Sequence, residues 1–166
     1  MPATFPRSVA VVMPDVAHDY SRLGWTVAAT ANGSCLITDQ ATAAIEVSGV
    51  LAARVGQFLR ANKLIGPVIE MPGPQRREIH LVVGIAKAAK AIEALRAAGA
   101  IVYTDGAAVP LPPARWASGS VRWQISPDEA RWVPPVVAVS AAVRAAGSIG
   151  RAAGGVGKTR LVDMAC

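Results

Sequence analysis

The chain has 166 residues, 52% of them hydrophobic, which is enough for one main domain with a sizeable core. Its formal charge of +6 favours an acidic partner such as nucleic acid, yet only 17% of residues are charged and the basic ones are scattered, so a basic protein without such a partner fits equally. Cys35 and Cys166 stand too far apart for zinc-ligand spacing or a disulfide framework, no apolar run approaches the roughly 18 residues that span a bilayer, and Met1 to Met13 lacks a signal-peptide core, so a reduced, cytoplasmic protein with no membrane partner is expected.

In chain order, Pro14 to Leu23 reads as a short helix closed by Gly24, and Trp25 to Ala29 as a strand. Asn32-Gly33 is a hairpin signal joining that strand to Cys35-Leu36-Ile37. From Ala43 to Tyr103 the pattern is strand, helix, strand, strand, helix, strand. Ser48 is placed to cap a helix whose apolar positions Val50, Leu51, Val55, Phe58 and Leu59 recur at helical spacing. Val68 to Met71 forms the second strand, and Pro72-Gly73-Pro74 turns the chain into Arg76, Arg77 and the strand bearing His80. Ala86 to Ala98 reads as the second helix, stopped by Gly99 before the strand Ala100 to Tyr103. Thr104 to Ser118 reads as a long loop, Val121 to Gln124 as a short strand and Val136 to Ala146 as a final helix. Residues 1–146 then form one α+β domain, and 147–166 a glycine-rich tail.

The βαββαβ order is that of ferredoxin-like folds, in which strands one and three are neighbours at the sheet centre. Alternation sends Ile45, Val47, Ile79 and Leu81 to one face and Glu46, Glu78 and His80 to the other. Glu46 and His80 are therefore expected to share an open sheet face, with Cβ atoms within about 8 Å. His80 in that position suits a general base, a metal ligand or a phosphate contact; the alternative is a hydrogen-bonded structural histidine. Glu46 alone is a weak magnesium anchor, and Asp39 and Asp105 are the nearest candidates for a second carboxylate.

Two further patterns carry chemistry. Trp116, Trp123 and Trp132 stand beside Arg115, Arg122 and Arg131, an arrangement that can stack bases while holding phosphates, or equally can close a sheet edge as core. Trp123 is assigned to the core and Trp116 is left open. Gly154 to Thr159 imitates a P-loop, but Ala152 stands where the motif requires its first glycine, and the chain ends seven residues after Thr159. A tail, or the remnant of a longer protein, is the reading preferred over ATP binding.

Taken together, Ile65-Gly66-Pro67-Val68, Gln75 to Val83, Pro112-Pro113-Ala114-Arg115 and Gly119 to Trp123 with Arg131 to Pro134 resemble the N-terminal domain of actinobacterial bifunctional DNA primase/polymerases, over roughly Trp25 to Arg144. The resemblance implies an RNA-recognition-like sheet and metal-dependent nucleotidyl transfer. Carried over by position, it implies Glu46, His80 and Asp105 as catalytic residues, with Glu46 and Asp105 holding Mg or Mn. His80 and Arg76 or Arg77 would then meet a triphosphate, and DNA or nucleotide phosphate would be bound by Arg76, Arg77, Arg115, Arg122 and Trp116.

Two departures mark a reduced member. Ala43-Ala44 stands where the family pattern has a further acid, and only Asn32-Gly33-Ser34 stands where many relatives carry a cysteine-bearing insert. The expected function is a primase/polymerase-like domain of DNA replication or of a mobile element, binding DNA or nucleotide with reduced or absent transfer. A separate ATPase or helicase is a further expected partner. The alternatives are an active metal-dependent primase/polymerase and a ferredoxin-like sensing or dimerisation domain.

Overall fold

The computed structural model describes residues 20–154, with side chains described for 20–148. The helix expected over Pro14 to Leu23 lies largely outside the described residues. Its end is visible in the bonds that Leu23 and Gly24 donate to the carbonyls of Tyr20 and Ser21, and in the positive φ of 74° at Gly24. A hairpin follows, β1 (Val27–Thr30) and β2 (Gly33–Ile37), closed by the pair Thr30 and Gly33, so the turn residues are Ala31 and Asn32.

Then come β3 (Thr42–Ser48), α1 (Gly49–Ala61), β4 (Val68–Met71), β5 (Arg77–Val83), a 3-10 turn (Ile85–Lys87), α2 (Ala89–Ala97) and β6 (Ile101–Tyr103). After them run β7 (Ala108–Leu111), β8 (Arg115–Trp116), β9 (Gly119–Ser120), β10 (Arg122–Ile125), α3 (Pro127–Ala130) and α4 (Val136–Gly154). Five strands form the main sheet in the order β10-β4-β5-β3-β6, every pair antiparallel. The first and third strands of the βαββαβ pattern, β3 and β5, are thus neighbours. The fold is mixed α+β with antiparallel sheets.

Both faces of this sheet are buried. On one, Ile45, Val47 and Val82 pack against Val55 and Leu59 of α1, Leu95 of α2 and Val139 and Val143 of α4. On the other, Ala44, Ile69, Met71, Ile79 and Leu81 pack with Trp25, Leu36, Val109, Leu111 and Val121, largely from the second sheet β1-β2-β7 and its flanks. Tyr20, Trp25 and Trp123 tie the layers together, with ring centroids 6.0 to 6.5 Å apart and the Trp123 indole donating to the Tyr20 hydroxyl at 2.8 Å. Trp123 is core. The face that the sequence leaves open is a covered layer.

Register corrects the face assignment. Ile45 pairs with His80, Glu46 with Ile79 and Val47 with Glu78, and directly paired residues project from the same face. His80 and Glu78 therefore lie on the helix side with Ile45 and Val47, while Glu46 lies on the other side with Ile79 and Leu81. Glu46 and His80 are on opposite faces of the sheet.

Two other expectations change. The loop expected over Thr104 to Ser118 contains β7 and β8; Pro110 sits in β7 opposite Cys35, on an edge strand where a missing N–H is tolerated. The final helix runs on to Gly154, so 147–154 belongs to α4 rather than to a tail. Of the P-loop-like stretch, residues 155–159 lie outside the described residues. Among the described residues, no helix is long and apolar enough to cross a membrane.

Candidate functional site

Glu46 occupies the middle strand of three, and its neighbours supply both its partners. Arg77 pairs with Ser48 on β5 and Tyr103 pairs with Ala44 on β6, which places each one diagonal to Glu46 on the same face. The Arg77 Nε donates to Glu46 Oε1 at 2.7 Å, and the Tyr103 hydroxyl donates to Oε2 at 2.7 Å. Glu46 is only 4% exposed, so each carboxylate oxygen is matched by a donor. The hydrogen bond to Glu46 raises the Arg77 pKa above its ordinary value. Burial and the adjacent carboxylate push the Tyr103 phenol from 10.0 up to about 12. The group is a structural tie across β5, β3 and β6.

A divalent metal does not fit this arrangement. Both Glu46 oxygens are engaged, and a fixed guanidinium repels a second cation. Asp105, with a positive φ of 57°, follows Tyr103 toward the Thr42 end of β3 and so lies away from Glu46, along a strand rising about 3.3 Å per residue. Among the described residues, no cluster of three or more His, Cys, Asp or Glu side chains is placed to hold a metal. The triad of Glu46, His80 and Asp105 is not assembled. Asp39 instead caps its own turn, its Oδ1 accepting from the Ala41 and Thr42 N–H groups at 2.8 Å.

On the helix side, His80 and Glu78 are 2% and 1% exposed. Their Nε2 and Oε2 stand 3.6 Å apart, longer than a hydrogen bond, and neither atom has a hydrogen-bond partner among the described residues. The other Glu78 oxygen accepts from Arg76 Nε at 2.7 Å. Burial pushes the Glu78 carboxyl up, but His80 and Arg76 outweigh it and hold the group below its usual 4.5. His80 is thus buried against Glu78 beneath the helices rather than on an open face.

Arg76 and Arg77, expected as phosphate contacts, both have partners within the fold. Each guanidinium is committed to a buried carboxylate, Arg76 to Glu78 and Arg77 to Glu46. Arg115 and Arg122 remain available. Arg115 has no ion-pair partner among the described residues, and the Arg122 side chain is 74% exposed, with Glu70 at 3.9 Å. Trp116, 48% exposed, stands beside Arg115 on the β8–β9 hairpin. Between this hairpin and the Pro72-Gly73 turn lies a cavity of about 330 Å³, lined by Glu70, Ser118, Ser120 and Arg122 among others. Tyr103 is the site residue that sequence reading missed; its place two positions from the level of Glu46 on the adjacent strand is visible only once β6 is paired with β3. No known protein family, curated protein or solved structure matches this chain.

Proposed function

We propose that the chain is a ferredoxin-like, primase/polymerase-type α+β domain that binds single-stranded nucleic acid through the β8–β9 hairpin without nucleotidyl transfer. The order β6-β3-β5-β4, with α1 and α2 packed on one face, supports the ferredoxin-like reading. The observation that carries the binding reading is an exposed indole, Trp116, next to Arg115 and a short step from Arg122. An aromatic face stacks any base while arginines neutralise the flanking phosphates, which is how sequence-tolerant single-strand binders work. The sheet face used by RNA-recognition-like domains is filled here by β1, β2 and β7, whereas Trp116 on the hairpin is exposed. Glu46, committed to Arg77 and Tyr103, is a structural residue in this reading.

Titration with a single-stranded oligonucleotide at low salt, followed by tryptophan fluorescence, tests the proposal. Trp116→Ala is expected to weaken binding by about 1–3 kcal/mol, roughly five- to 150-fold, and Trp116→Phe to restore most of it. Equal affinity in Trp116→Ala and the wild type would refute the hairpin as the binding element.

A further inference from the structure

Three cations that none of the functional readings uses converge on the helical layer. Lys87 from the 3-10 turn, Lys90 from the first turn of α2 and Arg144 from α4 line one cavity of about 440 Å³, together with the Ser140 hydroxyl. No Asp or Glu lines it, and none of the three cations has an ion-pair partner among the described residues. Three like charges brought by separate elements around one concavity repel one another, and an anion seated between them reverses that term. The remaining walls are Val137 and the alanines Ala88, Ala89, Ala91 and Ala94, whose small side chains allow a ligand to approach the backbone.

The start of α2 adds to the same field. Its cap position is Ala88, which makes no side-chain hydrogen bond, and its first turn contains no acid. The positive end of the helix thus faces the cavity without a built-in counter-charge. Ser140 is 3% exposed, and its hydroxyl donates to the Ala91 carbonyl at 3.4 Å, which fixes that side chain on the cavity wall.

We infer that the cavity between α2 and α4 is a binding site for a phosphoryl group, held by Lys87, Lys90 and Arg144. Phosphate chemistry is favoured over a carboxylate because its several oxygens can meet an arginine and two lysines at once. The volume lies within the range of small-molecule sites and leaves room for more than one phosphoryl unit. This site belongs to the helical layer and does not depend on the β8–β9 hairpin or on nucleic-acid binding.

The test is titration of the full chain at low salt with inorganic pyrophosphate, ADP, adenosine and sulfate, followed by amide chemical shifts of Ala89, Lys90 and Ala91. Pyrophosphate and ADP are expected to bind with shifts confined to this cavity, and adenosine is not. Similar affinity for the two phosphates identifies the phosphoryl group as the recognised element; a marked preference for ADP identifies a nucleotide as its source. Lys90→Glu/Arg144→Glu should weaken both by about tenfold or more, since both positions are exposed and charge-assisted contacts are lost. Arg115→Ala/Arg122→Ala should leave both unchanged, which separates this site from the hairpin. No saturable binding of pyrophosphate or ADP, equal binding of sulfate, or unchanged affinity in the charge-reversed variant would overturn the assignment.

Discussion

Glu78→Ala is expected to lower stability by about 3 kcal/mol, or roughly 10 °C in melting temperature. The carboxylate is 1% exposed, and its loss takes away the polar group beside the buried His80 and opens a small void. Arg76 can turn toward solvent, because its side chain is 43% exposed, so the penalty falls mainly on His80. Replacing both Glu78 and His80 by leucine should recover a large part of the loss, since an apolar pair of similar size leaves no buried polar group without a partner. The acid limb follows from the lowered carboxyl. A folded-state pKa below 4.5 means that the stabilisation is fully present above pH 4.5 and is lost as the pH falls through the folded value. Chemical denaturation at neutral and acid pH checks both points: Glu78→Gln should lose less stability on acidification than the wild type. A neutral effect of Glu78→Ala would show that the cluster contributes nothing to the fold.

Gly66→Ala should be comparably damaging, at about 3 kcal/mol, for a reason of space. A Cβ at Gly66 would run into the Pro134 ring, with Cγ at 2.9 Å and Cδ closer still. Backbone strain is not the cause, because Gly66 does not have a positive φ. The contact cannot easily relax. The Pro134 carbonyl accepts from Val83 N–H at 3.0 Å, and the Trp132 indole donates to the Ile65 carbonyl at 3.0 Å, so both segments are pinned. Gly147→Ala is the contrast: a methyl group added there would meet nothing within 4 Å, the position sits in α4, and the variant should gain up to about 1 kcal/mol. Thermal unfolding of the two variants measures the difference, and similar melting temperatures would contradict it.

The elements of the main sheet were legible because their periodicities are strong. α1 starts after Ser48, although the Ser48 side chain makes no capping hydrogen bond, and β4, β5 and β6 fall within a residue or two of the alternating runs. The placement of the polar residues was not legible. Alternation tells which residues of one strand share a face, but matching that parity between β3 and β5 needs the register. When one face is wet, hydrophobic pattern supplies the register. Here both faces are buried, so Ile45 and Val47 serve one core and Ile79 and Leu81 the other. Nothing in either strand alone distinguishes them, and Glu46 and His80 were brought together on that ambiguity. β7 was hidden by Pro110, which fits only because the strand lies at an edge. Gly147 and Gly150 concealed the continuation of α4, where the packing of Val139, Val143 and Ala146 on the sheet overrides the low helix propensity beyond.

The hairpin as a nucleic-acid surface is tested most directly by the salt dependence of single-stranded DNA binding, measured by fluorescence anisotropy on the wild type and on Arg115→Ala/Arg122→Ala. Each phosphate neutralised by a protein cation contributes about 0.7 to the slope on a single strand, so the double variant should lose about 1.4 units of slope while its melting temperature is unchanged. An unaltered slope, or no binding by the wild type at low salt, would contradict the account.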